Sequence, residues 1–281
     1  MKFLKFFILF VLSAKAALAQ DNPIIVASIN PIYQIVLAIT GDKNNTILII
    51  NPSASDHDYQ LKKSDAEKIN KADLVFFVDE NLEQNFAKIA KTKNSYQLSQ
   101  VPQIKLLQSR SENKKTDLHL WMNPQNGVKI AEFVTQKICE IDVAGCKKYQ
   151  KNLEIFRSKI AKTEKKIRAE FSKIKNQNYV FYHDAYQYFE EYFALKPLQI
   201  ISKNHESYLT VKNLRDFDSL VSSQKIKCLF GDVVDEKNSA QKLAQNYKIK
   251  FAKLDPIGGE GGYEKLLTNV SDVMIGCLTA L

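Results

Sequence analysis

Near the middle of the chain, Lys147 to Lys175 contains no glycine or proline and places Tyr149, Leu153, Phe156, Ile160, Ile167, Phe171 and Ile174 in steps of three, four or seven. That spacing predicts one amphipathic helix, and at about 1.5 Å per residue it would run on the order of 40 Å, enough to cross two small domains. A helix of this length is a rigid connector, unlike a Gly/Ser linker. The chain is thereby constrained to two bodies joined by a rod.

On both sides of the rod, short apolar runs alternate with amphipathic stretches, the pattern of βα units. Before it, Ile24 to Ser28, Thr46 to Ile50 and Leu74 to Val78 read as strands. After it, Tyr179 to Tyr182, Leu198 to Ile201, Cys228 to Gly231 and Lys250 to Leu254 do the same. Pro31 to Thr40 predicts a helix ending at Gly41, and Asn126 to Cys139 another. Ser64-Asp65-Ala66-Glu67 has the form of a capping box with Ser64 as the cap. Gly258-Gly259-Glu260-Gly261-Gly262 lacks the spacing of a phosphate loop and reads as a flexible connection. The expected fold is α/β: an N-terminal lobe over residues 20–146, a connecting helix over 147–175 and a C-terminal lobe over 176–281, each lobe with a parallel central sheet. No repeat of solenoid period is present.

Residues 1–19 have the form of a cleavable secretory signal: Lys2 and Lys5, an apolar segment from Phe6 to Leu12, and Ala17-Leu18-Ala19 before Gln20. No cysteine follows to carry a lipid, and no later run matches the roughly 20 apolar residues of a membrane span. A periplasmic, unanchored, monomeric protein is expected. Loss of the signal removes three lysines and no acid, taking the formal charge from +9 to +6. The lysines read as a solvated surface, without the arginine clusters or aromatic-interleaved basic strips of a nucleic-acid binder.

Cys139, Cys146, Cys228 and Cys277 all lie beyond the signal, and three pairings are open to them. Spacing favours Cys139 with Cys146 and Cys228 with Cys277. Neither pair has the C-x-x-C form of a redox or zinc-knuckle site, so structural disulfides are expected.

The chain has four histidines. Three recur about sixty residues apart in polar or aromatic settings, each beside an acid: His57 in Ser55-Asp56-His57-Asp58-Tyr59, His119 in Asp117-Leu118-His119-Leu120-Trp121, and His183 in Tyr182-His183-Asp184-Ala185-Tyr186. A metal-bound imidazole passes its other N–H to a carboxylate or carbonyl, which gives the adjacent acids a use: Asp56 and Asp58 beside His57, Asp117 beside His119 and Asp184 beside His183. In α/β folds, loops at the carboxyl ends of strands gather into one crevice. The three histidines are therefore expected to converge on one metal ion. His205, in Lys203-Asn204-His205-Glu206, lacks the aromatic frame and reads as a surface or cleft-rim residue.

Ser55 to Tyr59 followed by Leu61 and Ser64-Asp65, Asp117 to Pro124, Tyr182 to Tyr186 with Tyr188-Phe189-Glu190, Leu254-Asp255-Pro256 and the connecting helix occur here in one order. In that combination the chain resembles the metal-binding periplasmic proteins of ABC importers, the TroA-like solute-binding proteins of cluster A-I, and within them the high-affinity zinc-uptake branch. The resemblance covers nearly all of the mature chain. It implies one metal in the interlobe cleft, with His57 and His119 from the first lobe and His183 from the second. Asp56 and Asp255 match the two positions from which members draw an acidic fourth ligand, and a water is the third possibility.

Three imidazoles and an oxygen suit Zn²⁺, while manganese favours more oxygen. The resemblance thus implies capture of Zn²⁺ and delivery to an ABC permease; a manganese- or iron-binding transport protein or an adhesin of the same fold is the alternative. A zinc hydrolase is a further rival, disfavoured because no H-E-x-x-H or similar motif is present. The chain also departs from the family pattern. Leu118 and Lys63 replace prolines, Asn123 replaces an aspartate, and Leu106 to Thr116 contains none of the histidines that many zinc members carry there.

Overall fold

The computed structural model describes residues 22–51, 59–90, 94–110, 114–174, 178–202, 211–223, 226–233 and 238–279. In chain order the strands are β1 Ile25–Ala27, β2 Thr46–Leu48, β3 Leu74–Phe77, β4 Ser95–Gln97, β5 Leu107–Gln108, β6 Thr116–Asp117, β7 Tyr179–His183, β8 Gln199–Ser202, β9 Cys228–Asp232 and β10 Lys250–Leu254. The helices are α1 Asn30–Thr40, α2 Lys63–Lys71, α3 Gln84–Ile89, α4 Pro124–Ile141, α5 Cys146–Phe171, α6 Gln187–Phe193, α7 Val211–Ser223, α8 Ser239–Asn246 and α9 Tyr263–Thr279. Two parallel four-stranded sheets result, ordered β2-β1-β3-β4 and β8-β7-β9-β10. Counted within its own lobe each sheet has the order 2-1-3-4, a structural duplication with no counterpart in the residue pattern.

In such a sheet the strand order reverses beside the first strand, and the crevice at the carboxyl ends there is where α/β proteins hold ligands. Here the reversals lie between β1 and β3 and between β7 and β9. Both faces of the second sheet are covered, as parallel sheets require. Tyr179 and Phe181 join a large core shared with the first sheet, whereas Val180 and Tyr182 join a smaller one with Phe217 of α7 and Leu243 of α8.

The rod is α5, which packs against α1 and α4 of the first lobe and α9 of the second. Its expected apolar stripe from Tyr149 to Phe171 is buried. The helix stops at Phe171 rather than Lys175, because the N–H groups of Lys173 and Ile174 turn back three residues to Glu170 and Phe171. Both expected disulfides form, Cys139–Cys146 across the α4–α5 corner and Cys228–Cys277 between β9 and α9.

Two local expectations are corrected. Ser64 does not cap α2: the cap falls two residues earlier, at Lys62, and buried Asp65 accepts the Lys62 N–H at 3.0 Å and the Tyr59 hydroxyl at 2.9 Å. An acid one turn in, with two donors facing it, outcompetes the serine. The 258–262 loop is held rather than a loose connection. Asn30 Nδ2 donates to the carbonyls of Ile257, Gly258 and Gly259 at 3.1, 2.8 and 3.1 Å, while the positive φ of Gly258, Gly261 and Gly262 lets the backbone fold against α1.

The short strands β4, β5 and β6 carry no legible period in the sequence. The last two form an antiparallel hairpin, Leu107 opposite Asp117 and Gln108 opposite Thr116, lying between the lobes. Among the described residues no helix is long and apolar enough to cross a membrane.

Candidate metal centre

His119 follows the hairpin and starts the short helical turn Leu120–Met122 that leads into α4. Asn123, an aspartate in the family pattern, caps α4 by accepting from the N–H groups of Gln125 and Asn126. The turn is anchored across the lobes: Trp121 Nε1 donates to the Pro256 carbonyl at 2.7 Å, and Tyr263 donates its hydroxyl to the Trp121 carbonyl at 2.5 Å. The His119 ring is buried against Trp121, ring centres 5.4 Å apart. Its Nδ1 lies 2.8 Å from Asp117 Oδ1, which also accepts the His119 backbone N–H at 3.0 Å. A carboxylate can only accept here, so the ring carries its proton on Nδ1 and would take a metal through Nε2.

His183 ends β7. The register pairs Tyr179 with Cys228, Val180 with Leu229 and Phe181 with Phe230. Continued by two residues, it sets His183 level with Asp232, the last residue of β9. Nδ1 of His183 lies 2.5 Å from Asp232 Oδ2, and the Tyr186 hydroxyl donates to Oδ1 at 2.6 Å. Burial and the Asp232 charge push the Tyr186 phenol well above its ordinary pKa, so it stays a donor and locks the carboxylate.

The expected use of Asp184 is therefore corrected. Asp184 lies one residue past the end of β7, where the chain bends out of the sheet. Asp184 instead meets Arg110, and Asp232, 49 residues further on, takes its place behind His183. The only sequence signal for Asp232 was an acid closing a fully buried apolar strand.

The two imidazoles meet across the lobes, ring centres 5.5 Å apart and planes at 77°. Two imidazoles on one tetrahedral ion, with metal–nitrogen distances of about 2.0–2.1 Å, place their ring centres about 5 Å apart. Both are backed by buried carboxylates, and Asp117 Oδ2 has no hydrogen-bond partner among the described residues. Negative charge behind each ring favours a cation in front of it.

Asp255 follows β10, which neighbours β9, and its charge reaches Tyr186. Its Oδ1 accepts from the N–H groups of Ile257 and Gly258 at 3.0 and 2.8 Å, fixing the turn at the loop base. His57, Asp56 and His205 lie outside the described residues. Among the described residues no group of three His, Cys, Asp or Glu side chains is arranged to hold an ion.

The family model described as "ZnuA: Zinc-uptake complex component A periplasmic" matches residues 25–277. The high-affinity zinc uptake system protein ZnuA of Haemophilus ducreyi is 26% identical over 292 residues, covering 92% of this chain and 94% of that protein. Its namesake in Yersinia pestis is 25% identical over 304 residues, covering 94% and 95%. Among solved structures, a zinc-bound ZnuA deletion mutant superposes with a TM-score of 0.81 at 17% identity, over 92% of this chain and 98% of that one. A mutant of the laminin-binding adhesin of Streptococcus agalactiae gives 0.79 at 21%, over 92% and 100%. These likenesses establish the shared two-lobed fold, and with the family match along nearly the whole length of the sheets and the rod, the chain belongs to the ZnuA family of periplasmic zinc-uptake components.

Proposed function

We propose that the chain captures Zn²⁺ in the periplasm and hands it to the membrane permease of an ABC importer. The ion sits in the cleft on His57 and His119 from the first lobe and His183 from the second, with Asp56, Asp255 or a water as fourth ligand. The observation that carries this is the meeting of His119 and His183 at 5.5 Å, each ring aimed by a carboxylate on its own lobe. Ligands divided between lobes tie capture to the lobe arrangement: the ion draws both halves together, and moving them apart weakens its hold. A nitrogen-rich set favours zinc over manganese.

In the same proposal, residues 1–19 direct export and are removed, the domain limits are 20–146, 147–175 and 176–281, and the mature protein acts as an unanchored monomer. It binds and releases without turnover, and a hydrolase assay on the zinc-loaded protein returns no activity above free zinc.

Titration calorimetry on metal-free protein tests the site: one zinc per chain is expected, with binding severely weakened in His57→Ala, His119→Ala and His183→Ala. Undiminished affinity in all three overturns the assignment. Trp121 is the only tryptophan and packs on His119, so its fluorescence reports occupancy directly.

A further inference from the structure

The hairpin β5–β6 belongs by sequence to the first lobe yet is bound to both. On one strand, Asp117 orients His119. The Tyr188 hydroxyl of α6 donates to the Asp117 carbonyl at 2.7 Å and accepts from the Leu107 N–H at 2.9 Å. Beyond the other strand, Arg110 Nη2 reaches Asp184 Oδ1 at 2.5 Å and Glu190 Oε2 at 2.7 Å. Asp184 directly follows His183, and Glu190 is anchored at its other oxygen by the Tyr179 hydroxyl at 3.0 Å. One hairpin thus holds the carboxylate behind one imidazole and grips the residue next to the other.

The strength of the grip follows from burial. The Asp184 and Glu190 side chains are 4% and 3% exposed and that of Arg110 is 31% exposed. The neighbouring interlobe pair Lys105–Glu191 is 53% and 44% exposed. An exposed pair holds little, whereas carboxylates already out of water cannot exchange a guanidinium for solvent without penalty. Arg110 remains charged because Glu190 and Asp184 outweigh the effect of its burial.

We propose that Arg110 is the interlobe positioning residue of the metal site, setting the separation between His119 and His183 by fixing the hairpin on Asp184 and Glu190. The proposal rests on the metal-site assignment above. Its loss lets the two half-sites drift, so that zinc leaves faster while each half-site keeps its own imidazole.

The test measures the rate of zinc release to excess chelator, followed by Trp121 fluorescence, together with the Tm of the metal-free protein. The variant Arg110→Met/Asp184→Asn/Glu190→Gln removes the cation and both buried charges together, so no uncompensated charge is left. About tenfold faster release is expected, with one zinc still bound per chain. Arg110→Lys, whose point charge cannot span two carboxylates as a planar fork does, is expected to release zinc about threefold faster and serves alone if the triple variant fails to fold. Lys105→Met is expected to release zinc at the parent rate. A purely structural role lowers Tm and leaves release within twofold of the parent in both Arg110 variants, and that result overturns the proposal. If instead His119→Ala and His183→Ala bind zinc as the parent does, the site assignment itself has failed.

Discussion

The two half-sites are built by different means. In the first lobe, His119 is aimed by Asp117, two residues away, and the same carboxylate oxygen takes the His119 backbone N–H. In the second, His183 is aimed by Asp232, 49 residues away, which is held in turn by Tyr186. The first is a turn that carries its own orienter; the second exists only once β7 and β9 are in register. A local pair survives loosening of its lobe, whereas a pair made between strands is as reliable as the sheet that carries them.

The largest effect should come from the covalent brace of that sheet. Cys228–Cys277 closes a loop of 49 residues and Cys139–Cys146 one of 7. By loop entropy alone, removing the first as Cys228→Ala/Cys277→Ala costs about 4 kcal/mol and the second about 2 kcal/mol. Denaturant unfolding of the two double variants checks this, and equal losses would erase the contrast between the halves.

Next come the orienting carboxylates. Asp232→Asn should weaken zinc binding by roughly 10–100-fold. Asp117→Asn should weaken it less, because the turn keeps its Met122 N–H to His119 carbonyl bond and the interlobe bonds of Trp121 and Tyr263. Calorimetry on both decides, and a larger loss at Asp117 would reverse the comparison.

A pH dependence is expected on the side of the second half-site. Burial raises the Glu190 carboxyl from 4.5 to about 7 despite the pull of Arg110 and the Tyr179 hydroxyl, and the Asp184 charge adds to the rise. The folded protein therefore binds this proton more tightly than the unfolded chain does. The resulting stability is fully present below pH 4.5 and is lost as pH rises through about 7. Across pH 5–8, the Tm of the metal-free parent should fall relative to that of Glu190→Gln, and parallel profiles would remove Glu190 as the cause. Smallest is Tyr186→Phe, which deletes one buried hydrogen bond to the Asp232 carboxylate and should cost about 2 kcal/mol of stability.

The same contrast explains how much could be read in advance. The rod, seven of the eight sheet strands and the α1 stop at Gly41 were legible because period and punctuation act over a few residues. Asp117 behind His119 was legible for that reason too. Asp184 looked equivalent beside His183, yet the bend that ends β7 leaves it facing Arg110. Strands of two residues have no period to show, so the β5–β6 hairpin was missed, and Arg110 with it. Ser64 satisfied a capping rule that Asp65 satisfied better.

What the sequence determined by itself was the set of local preferences: where helices and strands form, that the chain makes two α/β lobes on a rod, and which histidines are framed for a metal. Only the tertiary structure decided which acid stands behind His183, that the glycine loop is gripped by Asn30, and that one hairpin is bound to both lobes. Those outcomes depend on strand register and lobe contact, which join residues from 49 to more than 200 places apart. No window along the chain contains both partners of such a contact.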